Sequence, residues 1–180
     1  MSRVAIVGDG PGGLSAALFL AKNGHDTVVY GADQTPMHYA HLYNYLGVED
    51  EPGAEFQRRA REQARSHGVV LNDAEVAGIE RDGGAFRVVT AEGGSTADYL
   101  ILAGGRTATR LAGELGVTVE DNGAVVDAEY RTNLDRVYAV GMLARPNRSQ
   151  AIISAGAGAT AAVDILSLEA GKDVHDWDRA

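Results

Sequence analysis

Short apolar runs and one amphipathic segment organise the first thirty residues of the chain. Residues 4–7 form a continuous apolar run, which is typical of a strand buried on both faces of a parallel sheet. A helix is predicted next, with Gly24 placed to end it. The apolar residues at helical spacing are Leu14, Ala17, Leu18 and Ala21. A second buried strand is predicted at residues 27–30, which completes a βαβ unit.

The pattern breaks after residue 30, and a charged segment follows. Residues 37–45 form a polar, tyrosine-rich stretch within a long loop, and such loops in compact domains are usually functional. A helix is predicted at residues 55–67, and its arginines are expected to form a solvated face, with a binding surface as the alternative. The thin apolar stripe of this helix comprises Phe56, Ala60 and Ala64.

The second half of the chain carries further strand signals and one long helix. Short runs punctuated by glycine turns predict an antiparallel meander at residues 69–71, 75–79 and 86–90. Buried strands are predicted at residues 99–103 and 137–140, and a helix rich in small residues at 151–168. This alternation indicates an α/β fold with a parallel sheet and a small antiparallel β-meander, in a single domain over residues 1–180.

A glycine string follows the first predicted strand directly and opens the first helix. The string is Gly8, Asp9, Gly10, Pro11, Gly12 and Gly13. The glycines at positions 8, 10 and 13 match the dinucleotide fingerprint, in which they serve the turn, the close approach to a pyrophosphate and the helix–strand packing. The helix N-terminus would offer free N–H groups and a positive dipole end to phosphates. A purely structural turn is the alternative, but the flanking strand and helix favour a nucleotide site.

An acid usually stands at the end of the second strand of such a site, where it holds the hydroxyls of the adenosine ribose. Here the strand ends with Tyr30, which we expect to contact the cofactor, and Gly31 occupies the usual place of the acid. The nearest acid is Asp33, which we expect to bind the ribose. An aspartate in an exposed turn is the alternative interpretation.

Composition narrows the classes of function. The formal net charge of -9 argues against electrostatic binding to nucleic acid or to an anionic membrane. The sequence contains no cysteine, which excludes disulfides, thiolate metal ligands and cysteine redox chemistry. It has no unbroken run of about 18 apolar residues and enters a strand and a glycine loop at once, so a soluble, cytoplasmic protein is expected.

Five segments, in chain order, resemble successive FAD-contacting blocks of thioredoxin reductases and related flavoproteins. The segments are VAIVGDGPGGLSAALFLAKNG, NYLGVEDEPGAEFQRRAREQARSHGV, ADYLILAGG, TNLDRVYAVG and NRSQAIISAGAGATAAVDI. Together they cover nearly the whole chain. The resemblance implies a Rossmann-like FAD/NAD(P)-binding fold, with FAD as the cofactor of a flavoprotein oxidoreductase.

The resemblance also implies roles for single residues at the phosphate and adenine end. It implies that the pyrophosphate lies against the glycine loop, on Gly8, Gly10, Pro11 and Gly13, with Gly12 in the same loop. It further implies that Val76 offers its backbone to adenine.

Other residues are implied to lie near the flavin. Asn44 would lie beside the flavin, and Ala103, Gly104 and Gly105 stand where the family has an Ala-Thr-Gly crossing next to the cofactor. The family also has an Arg-Gln-Ala run whose helix N-terminus points at the pyrimidine edge of the flavin, and its dipole favours the anionic reduced form. The residues that stand there are Arg148, Gln150 and Ala151.

The middle of the chain departs from the thioredoxin reductase pattern. Between Gly105 and a strand expected at residues 125–126, that family carries a second βαβ domain for NADPH, whereas residues 106–122 alone occupy the gap here. The Cys-x-x-Cys disulfide of the family belongs to the missing domain. Because the chain has no cysteine, disulfide reduction through its own cysteines is excluded.

A second departure lies after the last predicted strand. The family has Gly-Asp there, with a carboxylate that holds a ribityl hydroxyl, and this chain has Gly141 and Met142. Loss of that hydrogen bond, which contributes about 1 kcal/mol, is expected to weaken flavin binding without abolishing it. The alternative is a domain that no longer holds FAD and binds another dinucleotide.

His38 and His41 are the candidate catalytic residues, since the resemblance puts their loop over the reacting face of the flavin. Histidine can move protons to a reduced flavin or bind a metal. However, no carboxylate or third ligand is visibly arranged with them, so polar loop residues without chemistry are the alternative, and no metal site is predicted.

Two functions therefore stay open. The first is a FAD-dependent oxidoreductase whose electrons come from a separate donor protein or from free NAD(P)H. The second is a non-catalytic dinucleotide-binding module, acting as a sensor or as a subunit of a larger assembly. In either case a homodimer is expected, because loss of the NADPH domain exposes surface that the parent architecture covers.

Overall fold

A parallel sheet with helices and a meander packed on it forms the fold, in a computed structural model that describes residues 1–177. The helices are α1 (Pro11–Lys22), α2 (Gly53–Ser66), α3 (Gly105–Leu115) and α4 (Ala151–Ala170). The strands are β1 (Arg3–Val7), β2 (Asp26–Tyr30), β3 (His41–Leu42), β4 (Glu51–Pro52), β5 (Val70–Asn72), β6 (Val76–Asp82), β7 (Ala85–Thr90), β8 (Gly93–Ala97), β9 (Tyr99–Ala103), β10 (Val119–Glu120), β11 (Gly123–Ala124) and β12 (Val137–Val140).

The central sheet has the order β12-β9-β1-β2-β5, and all its neighbouring strands are parallel. β1, β9 and β12 are short apolar runs because both faces of the sheet are covered. The predictions of these strands, of β2 and of α1 and α4 are confirmed. The predicted α/β class, with its parallel sheet and antiparallel meander, is confirmed as well.

The antiparallel meander is confirmed, but the prediction of which strands form it is wrong. Residues 69–71 were predicted to be its first strand, but β5 pairs in parallel with β2, with Val70 opposite Val28. The meander consists of β6, β7 and β8, and β8 completes it where only glycine turns were expected. A three-residue apolar run looks the same in either sheet, and the β8 sequence GGSTA carries almost no apolar signal.

Two apolar cores lie on opposite faces of the sheet. One contains apolar side chains of α1 and α4 together with Ala64 of α2. The other contains the buried face of α3, which includes Leu111, and meander residues such as Val88. α1 and α4 cross so closely that a Cβ on Gly158 would overlap the backbone carbonyl of Gly12. The sheet is therefore covered on both sides, and its strand ends remain open along one edge.

α4 is long and apolar enough to cross a membrane by length and composition alone, with a mean hydropathy of 1.6 over its best window. Its Ala157, Ala161 and Ile165 are buried in the core against the sheet and α1. Packing inside the fold accounts for the apolar residues at these positions.

The sequence predicted that a second nucleotide-binding domain is missing from the middle of the chain. This segment forms α3 and the β10–β11 hairpin. α3 buries Ala108, Leu111 and Ala112 and ends at Gly116 in the left-handed conformation. β10 pairs with β11 in an antiparallel hairpin, and the strand expected at residues 125–126 lies two residues earlier, at Gly123–Ala124. Within residues 1–177 the only parallel sheet is the central one.

Candidate dinucleotide site

A groove of about 150 Å³ lies at the carboxyl edge of the central sheet. The chain leaves β1 towards β2 on one side and returns to β9 on the other, so the groove sits at the topological switch point of the sheet, where open α/β folds bind ligands. Predicted site residues that line it are Gly8, Gly10, Pro11, Gly12, Ala103, Gly104, Gly105, Gly141, Met142 and Ala151.

Three helices begin at this groove. Gly12 near the start of α1, Gly105 of α3 and Ala151 of α4 all line it, and none of the three helices has a side-chain N-cap. The first N–H groups of a helix lack intrahelical partners and carry the positive end of the dipole. The groove is therefore suited to an anionic or strongly polar ligand along much of its length.

The fingerprint glycines serve different purposes. The Gly8 N–H donates to the Tyr30 carbonyl at 2.8 Å, which ties the loop to β2. A Cβ on Gly8 or Gly13 would overlap backbone carbonyls, those of Ala103 and Gly8 respectively. A Cβ on Gly10 would meet nothing closer than the Thr35 hydroxyl at 3.5 Å. Packing therefore explains the glycines at positions 8 and 13 and leaves the one at position 10 unexplained.

A second cavity, of about 350 Å³, lies past the end of β2. Asp33 lines this cavity and its neighbour Gln34 lines the groove, so one turn contributes to both spaces. The remaining lining residues of the cavity are Ala32, Arg58, Arg61, Glu62, Arg65 and Asp73. A dinucleotide bound at the glycine loop would have its adenosine end at this place after β2.

A buried ion pair joins the glycine loop to α2. The Asp9 carboxylate accepts from Nη1 of Arg61, and both side chains are only 7% exposed. Burial raises the pKa of Asp9 above its usual value, and the Arg61 charge offsets only part of that effect. The prediction that the α2 arginines form a solvated face is wrong for Arg61, because this side chain lies inside the fold.

Asp33 stands where the ribose acid was expected, in a left-handed backbone conformation. Its N–H donates to Oδ2 of Asp9 at 3.0 Å, and Gln57 Nε2 reaches its carboxylate at 3.3 Å. His38 Nε2 lies 3.1 Å from the same carboxylate. The side chain remains 41% exposed, so it is held in place while an acceptor stays available to a ligand.

Only some of the residues that were predicted to lie near the flavin line the groove. The Asn44 amide donates to Oε1 of Gln150 at 3.1 Å, which joins the tyrosine-rich loop to the N-terminus of α4. Met142 is 41% exposed and lines the groove. Arg148 is exposed in the 3-10 helix Pro146–Arg148 and does not line it.

Two other predicted residues lie outside both cavities. The Tyr30 side chain is buried against the meander, where its hydroxyl shares a hydrogen bond with Ser95. The Val76 carbonyl accepts from Arg110 at 3.0 Å within the start of β6. Asp73 lies at the cavity instead, just before that strand.

The two histidines are held by separate aspartates, and His38 Nε2 lies 2.7 Å from the backbone carbonyl oxygen of Asp33. His41 Nε2 pairs with Asp50, and its ring stacks on Tyr43 with centroids 4.5 Å apart. His38 pairs with Asp33. Among residues 1–177, no three side chains of histidine, aspartate or glutamate converge as metal ligands.

Sequence reasoning missed Asp9, Gln57 and Arg61 as parts of the site. Gln57 is fully buried, and its Nε2 donates to the Asp9 carbonyl at 2.7 Å. A signal was present, because Gln57 and Arg61 are one helical turn apart beside the apolar stripe of α2. Within residues 1–177, the Gln57 Oε1 atom is the buried side-chain atom that lacks a hydrogen-bond partner.

The groove, the parallel sheet and the glycine loop define a Rossmann-type fold. The family profile of pyridine nucleotide-disulphide oxidoreductases matches residues 45–160. The chain belongs to this family. No curated protein sequence matched the chain in the corresponding search.

Solved structures with the same fold include several thioredoxin reductases. The enzyme from Gloeobacter violaceus superposes with a TM-score of 0.85 at 19% identity, over 99% of this chain and 98% of that chain. Lactococcus lactis thioredoxin reductase superposes with a TM-score of 0.83 at 16% identity, over 95% of this chain and 100% of that chain. A ferredoxin-flavin thioredoxin reductase from Clostridium acetobutylicum superposes with a TM-score of 0.80 at 17% identity, over 93% of this chain and 97% of that chain. The predicted thioredoxin reductase-like fold is confirmed.

Proposed function

We propose that the chain is a FAD-binding flavoprotein oxidoreductase whose electrons are supplied by a separate partner. Membership of the pyridine nucleotide-disulphide oxidoreductase family supports the redox class, and the groove at the switch point supports the dinucleotide. The absence of cysteine from the sequence separates it from enzymes that reduce disulfides through their own thiols.

The observation that carries the proposal is the free space at Gly10. Its backbone has ordinary angles for any residue, and the nearest protein atom to a Cβ would be 3.5 Å away. Nothing within the protein therefore requires glycine at this position. A ligand pyrophosphate lying against the backbone would require it, as the dinucleotide fingerprint does.

The residues of the chain have definable tasks toward this ligand. The N–H groups of Gly12 and Gly13, in the uncapped first turn of α1, would bind the pyrophosphate oxygens. Asp33 would accept the ribose hydroxyls at the other cavity. The N-terminus of α4, joined to Asn44 through Gln150, would stabilise negative charge at the far end of the groove.

FAD would supply the redox chemistry when bound, and its electrons would have to come from a donor that the protein binds. α3 and the β10–β11 hairpin take the place of a nicotinamide-binding domain, and within residues 1–177 no second parallel sheet could carry one. A protein donor is therefore favoured over NAD(P)H, as the name of the ferredoxin-flavin enzyme illustrates for that relative.

One observation favours a second candidate, a non-catalytic dinucleotide module acting as a sensor or a subunit of a larger assembly. Met142 lines the groove where the resemblance implies a ribityl-binding aspartate, so an anchoring hydrogen bond is missing. Flavin and nicotinamide dinucleotides share the AMP half that the glycine loop and Asp33 would hold.

Anaerobic reduction of the purified protein separates these functions. We expect a yellow protein that dithionite or light bleaches readily, whereas stoichiometric NADPH or NADH bleaches it slowly. The reason is that positioning the nicotinamide supplies several kcal/mol of the barrier, and residues 1–177 contain no second parallel sheet that could hold it. Bleaching by NAD(P)H alone at on the order of 10 per second, a typical enzyme turnover, would contradict the proposed electron source. A colourless protein that holds NAD or ADP-ribose would favour the second function.

A further inference from the structure

Three arginines border one end of the groove in a protein that is otherwise acidic. Arg106 directly follows Gly105, which lines the groove. Arg148 directly precedes Ser149, which lines it as well, and Arg145 is the N-cap of the same 3-10 helix. All three arginines are exposed, and together they are called the arginine rim below. Because the chain has a formal net charge of -9, the rim is a local exception to its charge.

The protein itself does not neutralise the arginine rim. Within residues 1–177 none of the three forms an ion pair, whereas exposed arginines of α2 such as Arg58 and Arg59 pair with glutamates. Arg145 lies over the ring of Tyr130, with its guanidinium carbon 5.8 Å from the ring centroid. The charged residue in the lining of the groove is Asp9, whose carboxylate is buried and already paired. The positive charges of the rim are therefore available to a partner.

The rim lies at the end of the groove where electrons would have to enter. Arg148 stands just before Gln150, the N-cap of α4, and the N-terminus of α4 is the proposed flavin end. Arg106 is in the first turn of α3, whose N-terminus has no side-chain cap and adds positive potential. Charges of one sign around a cleft focus its field on an approaching partner.

Exposed apolar side chains accompany these charges. Met142, which lines the groove, is 41% exposed, and Ile152 and Ile153 in the first turn of α4 are 37% and 40% exposed. Weak interfaces between redox proteins are small, and complementary charge around an apolar centre speeds and orients the encounter. A second copy of this chain fits the surface poorly, because a two-fold axis through the rim would set like charges against each other.

We propose that the arginine rim docks a small acidic protein that carries single electrons, and so brings this donor to the flavin end of the groove. Two reduced carriers each lose one electron, and the two electrons with one proton from solvent convert bound FAD to its anionic reduced form. The inference rests on the proposed flavoprotein function and goes beyond it by naming the charge of the donor and the residues that meet it.

The dependence on ionic strength gives the first test, because overall and local charge predict opposite signs. The probe is an acidic plant-type ferredoxin, reduced beforehand and freed of excess reductant, and anaerobic stopped-flow measures bleaching per bound flavin. Two net-negative proteins without a docking surface would react faster as salt screens their repulsion. We expect the rate constant to fall at least about threefold between about 0.05 M and about 0.5 M salt. A rate constant that rises with salt would overturn the inference.

Charge reversal in the rim gives the second test. R106E/R148E should lower the rate constant at low salt about tenfold or more and remove its fall with salt. Both side chains are exposed and without ion pairs, so the substitutions should leave the fold intact. Arg145 is kept because of its contact with Tyr130.

R81E/R87E is the matched control, since it makes the same change in net charge on β6 and β7 of the meander, whose residues do not line the groove. The exposed ion pair of Arg87 with Glu80 contributes little to stability. The rate constant of this control should stay within about twofold of the wild-type value, because charges beyond the Debye length are largely screened.

Calorimetry with oxidised ferredoxin at low salt tests the docking without flavin chemistry. Its affinity should fall about tenfold in R106E/R148E and stay within about twofold in the control. If the chain holds no flavin but binds ferredoxin through the rim, the flavoprotein function is wrong and the docking surface stands.

The opposite results leave the flavoprotein function standing and refute the docking surface. They are a flavin-containing wild-type protein that ferredoxin neither binds nor reduces, or rim variants that behave like the control. Equal slowing of NADPH and ferredoxin in R106E/R148E would assign the rim to any anionic donor and would also overturn the acidic protein as its partner.

Discussion

The Tyr138 hydroxyl donates a 2.6 Å hydrogen bond to Oδ2 of Asp164 and thereby joins β12 to α4 inside the core. Arg131 Nε donates to the same carboxylate oxygen at 2.7 Å. Burial, followed by this hydrogen bond, raises the pKa of Tyr138. Burial and the hydrogen bond to Glu169 likewise raise the pKa of Tyr99 to about 12. Both phenols therefore stabilise the fold in their neutral form.

This arrangement predicts a loss of stability in alkali. The folded pKa of Tyr99 exceeds its ordinary value of 10.0, so its contribution is complete below pH 10 and is lost as the pH rises through about 12. Urea unfolding at about pH 8 and about pH 11.5 measures the effect. Tyr99→Phe should lose less stability between the two pH values than the wild-type protein loses. Tyr39→Phe, at a position that is 95% exposed, should lose as much as the wild type. An unchanged alkaline loss in Tyr99→Phe would refute the prediction.

A pair of glycine variants tests the division of tasks in the phosphate loop. Gly10→Ala should fold with a stability within about 1 kcal/mol of the wild type, because its Cβ has room, and should lose the bound dinucleotide. Gly13→Ala is the structural counterpart, whose Cβ would overlap the Gly8 carbonyl, and it should lose about 1–3 kcal/mol or more. Thermal unfolding and nucleotide content measure both effects. Stoichiometric dinucleotide in Gly10→Ala would show that the loop is not the phosphate site.

The local pattern of the sequence predicts most of the fold but only part of the site. β1, α1 and β2 are predicted because each carries its own periodicity, and the glycine loop lies between two of them. The Asp9–Arg61 pair joins residues 52 positions apart, and its arginine looks like any other on a charged helix. Only the packing of α2 against the loop decides that this side chain is buried. The same holds for β5, whose partner strand is a matter of topology and not of composition.

Exposed apolar side chains predict self-association. Tyr39, Tyr43 and Leu46 are 95%, 76% and 89% exposed, and the Asn44–Gln150 hydrogen bond brings their loop to the start of α4. We propose a homodimer, with a mass by light scattering of twice the 18.9 kDa of the chain. Leu46→Glu should weaken the dimer, whereas Leu168→Glu, at the other end of α4, should not. A monomer mass for the wild-type protein at high concentration would contradict the proposal.

The identity of the bound ligand tests the central claim most directly. In the proposed assignment the glycine loop and the Asp33 cavity would hold the AMP half, and the groove extends from the glycine loop to the N-terminus of α4. Release of the ligand by heat, followed by mass spectrometry and an absorption spectrum, should therefore give FAD, close to one per chain. FMN, a nicotinamide dinucleotide, or no nucleotide at any salt concentration would contradict the assignment of this chain as a FAD protein.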